Sequence, residues 1–190
     1  MRIISGTAKG KKLTAPPGRL VRPTLDRVRE ALFSSLGTRV HGARVLDLFA
    51  GSGALGLEAL SRGAAYAVFV EQSKKVQEVV RRNISGLEFE AVARLVPGEA
   101  IKTLKLLEKK GESFDLVFLD PPYNRPQKPN QPFLLERVVG EIVQKSLLSP
   151  HGTIVAEHPR EATFDIPDIL RNVSTKGYGD TGLTLLEWMG

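Results

Sequence analysis

No cysteine occurs among the 190 residues, which excludes disulfides, thiolate nucleophiles and cysteine-bound zinc. Histidine is nearly as scarce, at three, and none has a close set of partner ligands, so no metal centre is expected. His158, next to Glu157, reads as structural for the same reason. No apolar run approaches the ~20 residues of a membrane-spanning helix. The 42% hydrophobic content therefore points to a soluble globular chain without membrane contact. Met1-Arg2-Ile3-Ile4-Ser5-Gly6 lacks the long apolar stretch of a secretion signal, which makes the cytoplasm the expected compartment. Repeats and low-complexity tracts are missing as well. Aromatics make up only 6%, and the single tryptophan, Trp188, reads as packing at a sheet edge rather than as a stacking platform.

What the chain has in excess is positive charge, concentrated at one end. Residues 1–30 hold eight Lys/Arg (Arg2, Lys9, Lys11, Lys12, Arg19, Arg22, Arg27 and Arg29) against Asp26 and Glu30, a surplus equal to the +6 of the whole chain. The other 160 residues carry 19 charges of each sign. A basic stretch is often no more than solvated surface. Gathering the entire surplus at one end favours a polyanion partner, most simply a nucleic acid.

The opening residues RIISGTAKGKKL read as a small hairpin with its lysines outward, and Pro16, Pro17 and Pro23 mark a linker after it. Thr24 is placed to cap a helix that carries Asp26 in its first turn, repeats Leu25, Val28, Leu32 and Leu36, and stops at Gly37. From residue 43 strands and helices alternate. Strands are expected at 43–49, 65–70, 91–96, 114–120 and 152–158, and helices around 54–62, 73–85, 99–110 and 132–146. Strands apolar on both faces, alternating with helices, predict an α/β fold: a mostly parallel sheet with helices on both sides. Arg171 to Gly179 and Leu183 to Met189, joined by Asp180-Thr181-Gly182, predict an antiparallel hairpin at the sheet edge. The expected organisation is one domain over 1–190, with residues 1–22 as a basic hairpin extension within it.

Gly51, Gly53 and Gly56 after the first main strand satisfy G-x-G-x-x-G, and Glu71 ends the next strand about twenty residues on. The pattern alone admits a dinucleotide, and hence an NAD-dependent oxidoreductase. It also admits a tight strand-to-helix turn with no ligand. Asp47, four residues before Gly51, would repel a pyrophosphate seated on the loop. S-adenosylmethionine suits such a site better: it has no phosphate, its ammonium can face Asp47, and its carboxylate can take loop N–H groups. Gly98-Glu99-Ala100 after the third strand offers an acceptor for an adenine amino group, although an acid is favoured at a helix start in any case.

The stretch FLDPPYNRP (118–126) ends a buried strand in an acid, two prolines and an aromatic. Pro121 and Pro122 have no N–H and a fixed φ, so the segment is stiff and presents its carbonyls as acceptors beside Asp120 and Tyr123. The polar, proline-rich residues that follow, 121–131, are placed to form a lid.

MRIISGTAKGKKL, RPTLDRVREALFSSL, LDLFAGSGALGLEALSRGA, VEQ and DPPY together resemble the RsmD-like 16S ribosomal RNA guanine-N2 methyltransferases, within the class I S-adenosylmethionine-dependent methyltransferases. The resemblance spans nearly the whole chain and implies a Rossmann-like sheet of seven strands. It implies S-adenosylmethionine as cofactor, held around Thr24, Asp47, Phe49, Gly51, Gly53, Glu71, Glu99 and Ala100. The target base would meet Asp120, Pro121 and Tyr123. Arg2, Lys9, Lys11, Lys12, Arg19, Arg22 and Arg29 would contact ribosomal RNA, either free or in a small-subunit assembly particle. Glu99 departs from the pattern, since a shorter aspartate is commoner there. Asp-Pro-Pro-Tyr also suits adenine N6 in DNA or RNA, or a protein glutamine amide. A basic arm alone would equally serve a non-catalytic RNA-binding protein.

Overall fold

Residues 1–16, 26–121 and 134–189 are described by a computed structural model, whose seven strands form one sheet in the order β3-β2-β1-β4-β5-β7-β6. The strands are β1 (Arg44–Asp47), β2 (Tyr66–Glu71), β3 (Ala93–Pro97), β4 (Phe114–Leu119), β5 (Leu148–Pro159), β6 (Leu170–Tyr178) and β7 (Thr181–Trp188). Every pairing from β3 to β5 is parallel, and β7 pairs antiparallel with both β5 and β6. The expected fold class is therefore the observed one. Among the described residues no helix is long and apolar enough to cross a membrane.

The helices are α1 (Asp26–Leu36), α2 (Ala54–Ser61), α3 (Lys74–Gly86), α4 (Ala100–Lys109) and α5 (Leu134–Gln144). Alternation along the strands sorts them into two layers. Val45, Ala67, Phe69, Leu116, Phe118 and Val155 pack with α1, α2 and α3, while Leu46, Val68, Val117, Leu119, Ile154 and Ala156 pack with α4 and α5. Trp188 lies against the second cluster, as a packing residue would.

Some boundaries differ from the sequence-based expectation. β3 starts two residues later, after a short 3-10 turn at Glu90–Val92. β5 starts at Leu148 rather than at 152, because a register shift between Phe114 and Leu116 lets Leu148 pair with Phe114. The C-terminal hairpin turns at Gly179-Asp180, not over 180–182. Gly182 is instead inside β7 opposite His158, where an added Cβ would stand 2.4 Å from the His158 ring. His158 itself is buried, with Nε2 against Thr184 Oγ1 at 2.8 Å and Nδ1 against the Pro159 carbonyl at 2.8 Å. On β6, the pairing with β7 slips between Asn172 and Ser174, leaving Val173 bulged and 42% exposed.

The N-terminal arm is the small hairpin its pattern suggests, with an antiparallel bridge between Arg2 and Lys12. Across it the Ile3 N–H donates to the Lys11 carbonyl (3.0 Å), the Gly10 N–H to that of Ile3 (2.9 Å) and the Leu13 N–H to that of Met1 (3.0 Å). Other backbone groups of the arm are satisfied by α2. Glu58 on α2 accepts the Ile4 and Ser5 N–H groups at 2.7 and 3.0 Å, and Ser61 Oγ accepts from Ala8 and donates to the Ser5 carbonyl. Ile3, Ala8 and Leu13 are buried in the α1–α3 layer, while Arg2, Lys9, Lys11 and Lys12 are exposed. Gly6 permits this fit, since an added Cβ would fall 1.7 Å from the Ser61 carbonyl oxygen.

Candidate active site

In an open parallel sheet, ligands bind beyond the carboxyl ends of the strands, where the order reverses. Here that point lies between β1 and β4, with β2 on the other side of β1. Register puts Asp47 beside Phe69 and Phe118, so Glu71 and Asp120 each stand two residues further along adjacent strands. By the period of two, all three carboxylates belong to the α1–α3 face. Three acids thus converge on the switch point. Backbone bonds stitch the loops there: Ala50 N–H to the Val70 carbonyl (3.0 Å), Leu48 N–H to that of Phe118 (3.1 Å) and Gly98 N–H to that of Glu71 (3.0 Å).

Asp47 is 3% exposed, and its Oδ2 accepts the Gly56 N–H at 3.1 Å, tying α2 to the strand end. Burial pushes its carboxyl up to about 7; the Gly56 bond opposes the rise, while Asp120 and then Glu71 add to it. Burial thus favours the neutral acid, and a cation brought close would favour the carboxylate. An aspartate that titrates at about 7 when folded, against 3.8 for an unperturbed one, binds more protons in the folded state. Its stabilising contribution is complete below 3.8 and is lost as pH rises through about 7. Urea titrations of wild type and Asp47→Asn are expected to diverge across that window, with wild type losing stability relative to the variant as pH rises. Parallel curves would refute the shift.

A cavity opens over the switch point. Glu71, Glu99 and Asp120 supply its acidic lining, Gln72 and Gly98 the remaining polar edge, and Leu48, Phe49, Val70, Ala100, Ile101 and Leu134 its apolar walls. No Lys or Arg lines it among the described residues. A dinucleotide pyrophosphate would meet three carboxylates and no cation there, whereas a cationic ligand with a flat apolar portion fits.

Of the residues singled out from sequence, Phe49, Glu71, Glu99, Ala100 and Asp120 line this cavity. Gly51 and Gly53 stand in the loop between β1 and α2, outside the cavity's lining, with φ of +55° and +80°, and Gly51 reaches the site by donating to Glu71 Oε2 at 3.2 Å. Glu71 Oε1 also accepts the Ser73 N–H at 2.8 Å. Glu99 precedes α4 on the rim and pairs with Lys102 at 3.4 Å. Pro121 is buried next to Asp120. Thr24, Tyr123, Arg19 and Arg22 lie outside the described residues. Arg29 requires a correction: it is 1% exposed, and its guanidinium donates to Asp26 Oδ1 at 2.9 Å and to the Arg2 carbonyl. It secures the arm to α1 instead of facing a polyanion.

Two positions escaped the sequence reading. Gln72 lines the cavity and follows directly from Glu71. Glu157 comes one residue after Ala156, which pairs with Leu119, so register brings it level with Asp120 on the neighbouring strand. Only strand pairing reveals that placement.

A family model described as conserved hypothetical protein 95 matches residues 1–187. YlbH of Bacillus subtilis, described as a candidate rRNA methyltransferase, is 38% identical over 193 residues and covers 100% of both chains. Ribosomal RNA small subunit methyltransferase D of Escherichia coli K12 is 40% identical over 174 residues, 92% of this chain and 81% of that one. Among solved structures, Escherichia coli yhhF, described as a candidate methyltransferase, superposes with a TM-score of 0.86 at 34% identity, covering 100% of this chain and 98% of that one.

Proposed function

We propose that this chain, which belongs to the family described as conserved hypothetical protein 95, transfers a methyl group from S-adenosylmethionine to the exocyclic N2 amine of a guanine in small-subunit ribosomal RNA. The observation that carries this reading is the acid-lined cavity at the switch point, with Asp120 in its wall and Pro121 the next residue along the chain. When bound, S-adenosylmethionine supplies a methyl carbon made electrophilic by its sulfonium. Glu71 is the acceptor for ribose hydroxyls at the end of β2, and Glu99 accepts the adenine amine. The apolar walls take the purine faces. Asp47, below them, shifts towards its carboxylate form when a cationic ammonium approaches.

The amine of guanine is a weak nucleophile, because its lone pair is delocalised into the ring. Asp120 and the Pro121 carbonyl accept the two amino hydrogens, drawing the nitrogen towards tetrahedral geometry. The same acceptors stabilise the positive charge that develops there as the N–CH3 bond forms and the S–CH3 bond breaks; S-adenosylhomocysteine departs neutral, and Asp120 takes the proton that the methylated nitrogen gives up. Much of the remaining acceleration comes from alignment. Tyr123 stacks on the base, which leaves its RNA neighbours to enter. Incubation with labelled S-adenosylmethionine and small-subunit RNA or particles is expected to place label in N2-methylguanine; label in another product, or none, would refute the assignment.

Among the described residues, Arg2, Lys9, Lys11 and Lys12 are the exposed cations of the arm, and they serve as phosphate contacts. Lys11 has only a loose partner, Glu88, at 3.9 Å. Replacing Lys9, Lys11 and Lys12 by alanine keeps Ile3, Ala8 and Leu13 in the core, which deletion of the arm would not. The slope of log affinity for RNA against log salt is expected to fall by about 2 to 3. An unchanged slope would place the RNA site elsewhere.

A further inference from the structure

The arm and the glycine loop share one side chain. Asn83 on α3 is 4% exposed, and its Nδ2 donates to the Thr14 carbonyl at 2.9 Å and to the Ser52 carbonyl at 2.8 Å. Its Oδ1 accepts the Thr14 N–H at 2.8 Å. The network itself sets the orientation of the amide, since a flip would turn its oxygen towards two carbonyls and its NH2 towards an N–H. Both donors and the acceptor are thus used, on two segments remote in sequence.

Ser52 lies between Gly51 and Gly53, and its carbonyl belongs to the same planar peptide as the Gly53 N–H. That N–H donates to the Ala50 carbonyl at 2.6 Å. Asn83 and Ala50 therefore hold the two ends of one peptide plane at the entry to α2. The rest of the loop is tied within the site, Gly51 by Glu71 and Gly56 by Asp47. Asn83 alone among these ties also grips the arm. A second arm-to-loop contact lies beside it, between Ser52 Oγ and Met1 Sδ at 3.8 Å.

We infer that Asn83 is a positioning residue through which the basic arm sets the glycine loop for its cofactor. The inference rests on the reading of the cavity as an S-adenosylmethionine site. Through Asn83, ordering of the loop by the cofactor is felt at Thr14, and docking of the arm is felt at Ser52. By linkage the two effects are reciprocal.

The test is calorimetry with S-adenosylhomocysteine on the full chain. Asn83→Leu is expected to weaken binding about tenfold, because the Ser52–Gly53 plane loses its outer tie. A role confined to holding the arm would lower RNA affinity and leave the cofactor affinity unmoved, and that result overturns the inference alone. Wild type that binds no S-adenosylhomocysteine would refute the cofactor assignment and this inference together. Should Asn83→Leu not fold, amide hydrogen exchange on wild type decides. Saturating S-adenosylhomocysteine is expected to slow exchange at Thr14, and unchanged exchange there overturns the proposal.

Discussion

Replacing Asp120 by alanine will lower the methyl-transfer rate at saturating cofactor by at least ~10²-fold, the general scale for a positioned proton acceptor. The dissociation constant for S-adenosylhomocysteine will change little, since Glu71, Glu99 and the apolar walls supply the remaining cavity lining. Asp120→Asn keeps the shape but replaces one acceptor oxygen with a donor, so it should fall nearly as far. A rigid, buried Pro121 leaves the segment little freedom to bring a substitute acceptor into place. Single-turnover measurements separate this chemical defect from weakened binding, and a variant with full activity would end the role given to Asp120. The substitution has a second signature. Because Asp120 helps to raise the Asp47 value, its loss should move the Asp47 titration to lower pH.

Glu58→Ala is expected to destabilise the fold by ~3–5 kcal/mol, the range for breaking a buried ion pair from one side. Glu58 is 0% exposed, pairs with Arg62 at 2.7 Å and receives the two arm N–H groups, so alanine would strand three donors at once. Chemical denaturation measures the loss. Trypsin reports where it falls: the arm should become cleavable at Lys9, Lys11 and Lys12 while the sheet still resists. A variant as stable and as resistant as wild type would show that the arm needs no anchor on α2.

The alternation of strands and helices was legible in the sequence because the central strands are apolar on both faces and helices such as α3, α4 and α5 on one. The cavity was legible for a related reason: glycine loop, Glu71 and Asp120 all lie at or just after strand ends, and a parallel sheet collects such positions at one edge. Long-range polar contacts leave no such trace. Glu58 and Asn83 look like ordinary helix residues, yet their partners lie 54, 53 and 69 positions away. Arg29 misleads for the same reason, since its charge suggests surface while Asp26 and the Arg2 carbonyl hold it inside. Asp47 carries the same lesson about protons: its identity says carboxylate, and only its burial beside Asp120 and Glu71 says that its proton is held well above the usual carboxylate range.

One edge of the sheet is β6, whose outward backbone groups have no neighbouring strand among the described residues. Such an edge invites a strand from another molecule, which is the usual first step towards aggregates. The bulge at Val173 breaks the flat run of free donors and acceptors, and Arg171 and Lys176 put charge on either side of it. Arg171 is held by Glu187 at 2.9 Å, so an arriving strand would meet an interrupted ladder with a fixed ion pair near its start, and the edge is a poor template for continued pairing.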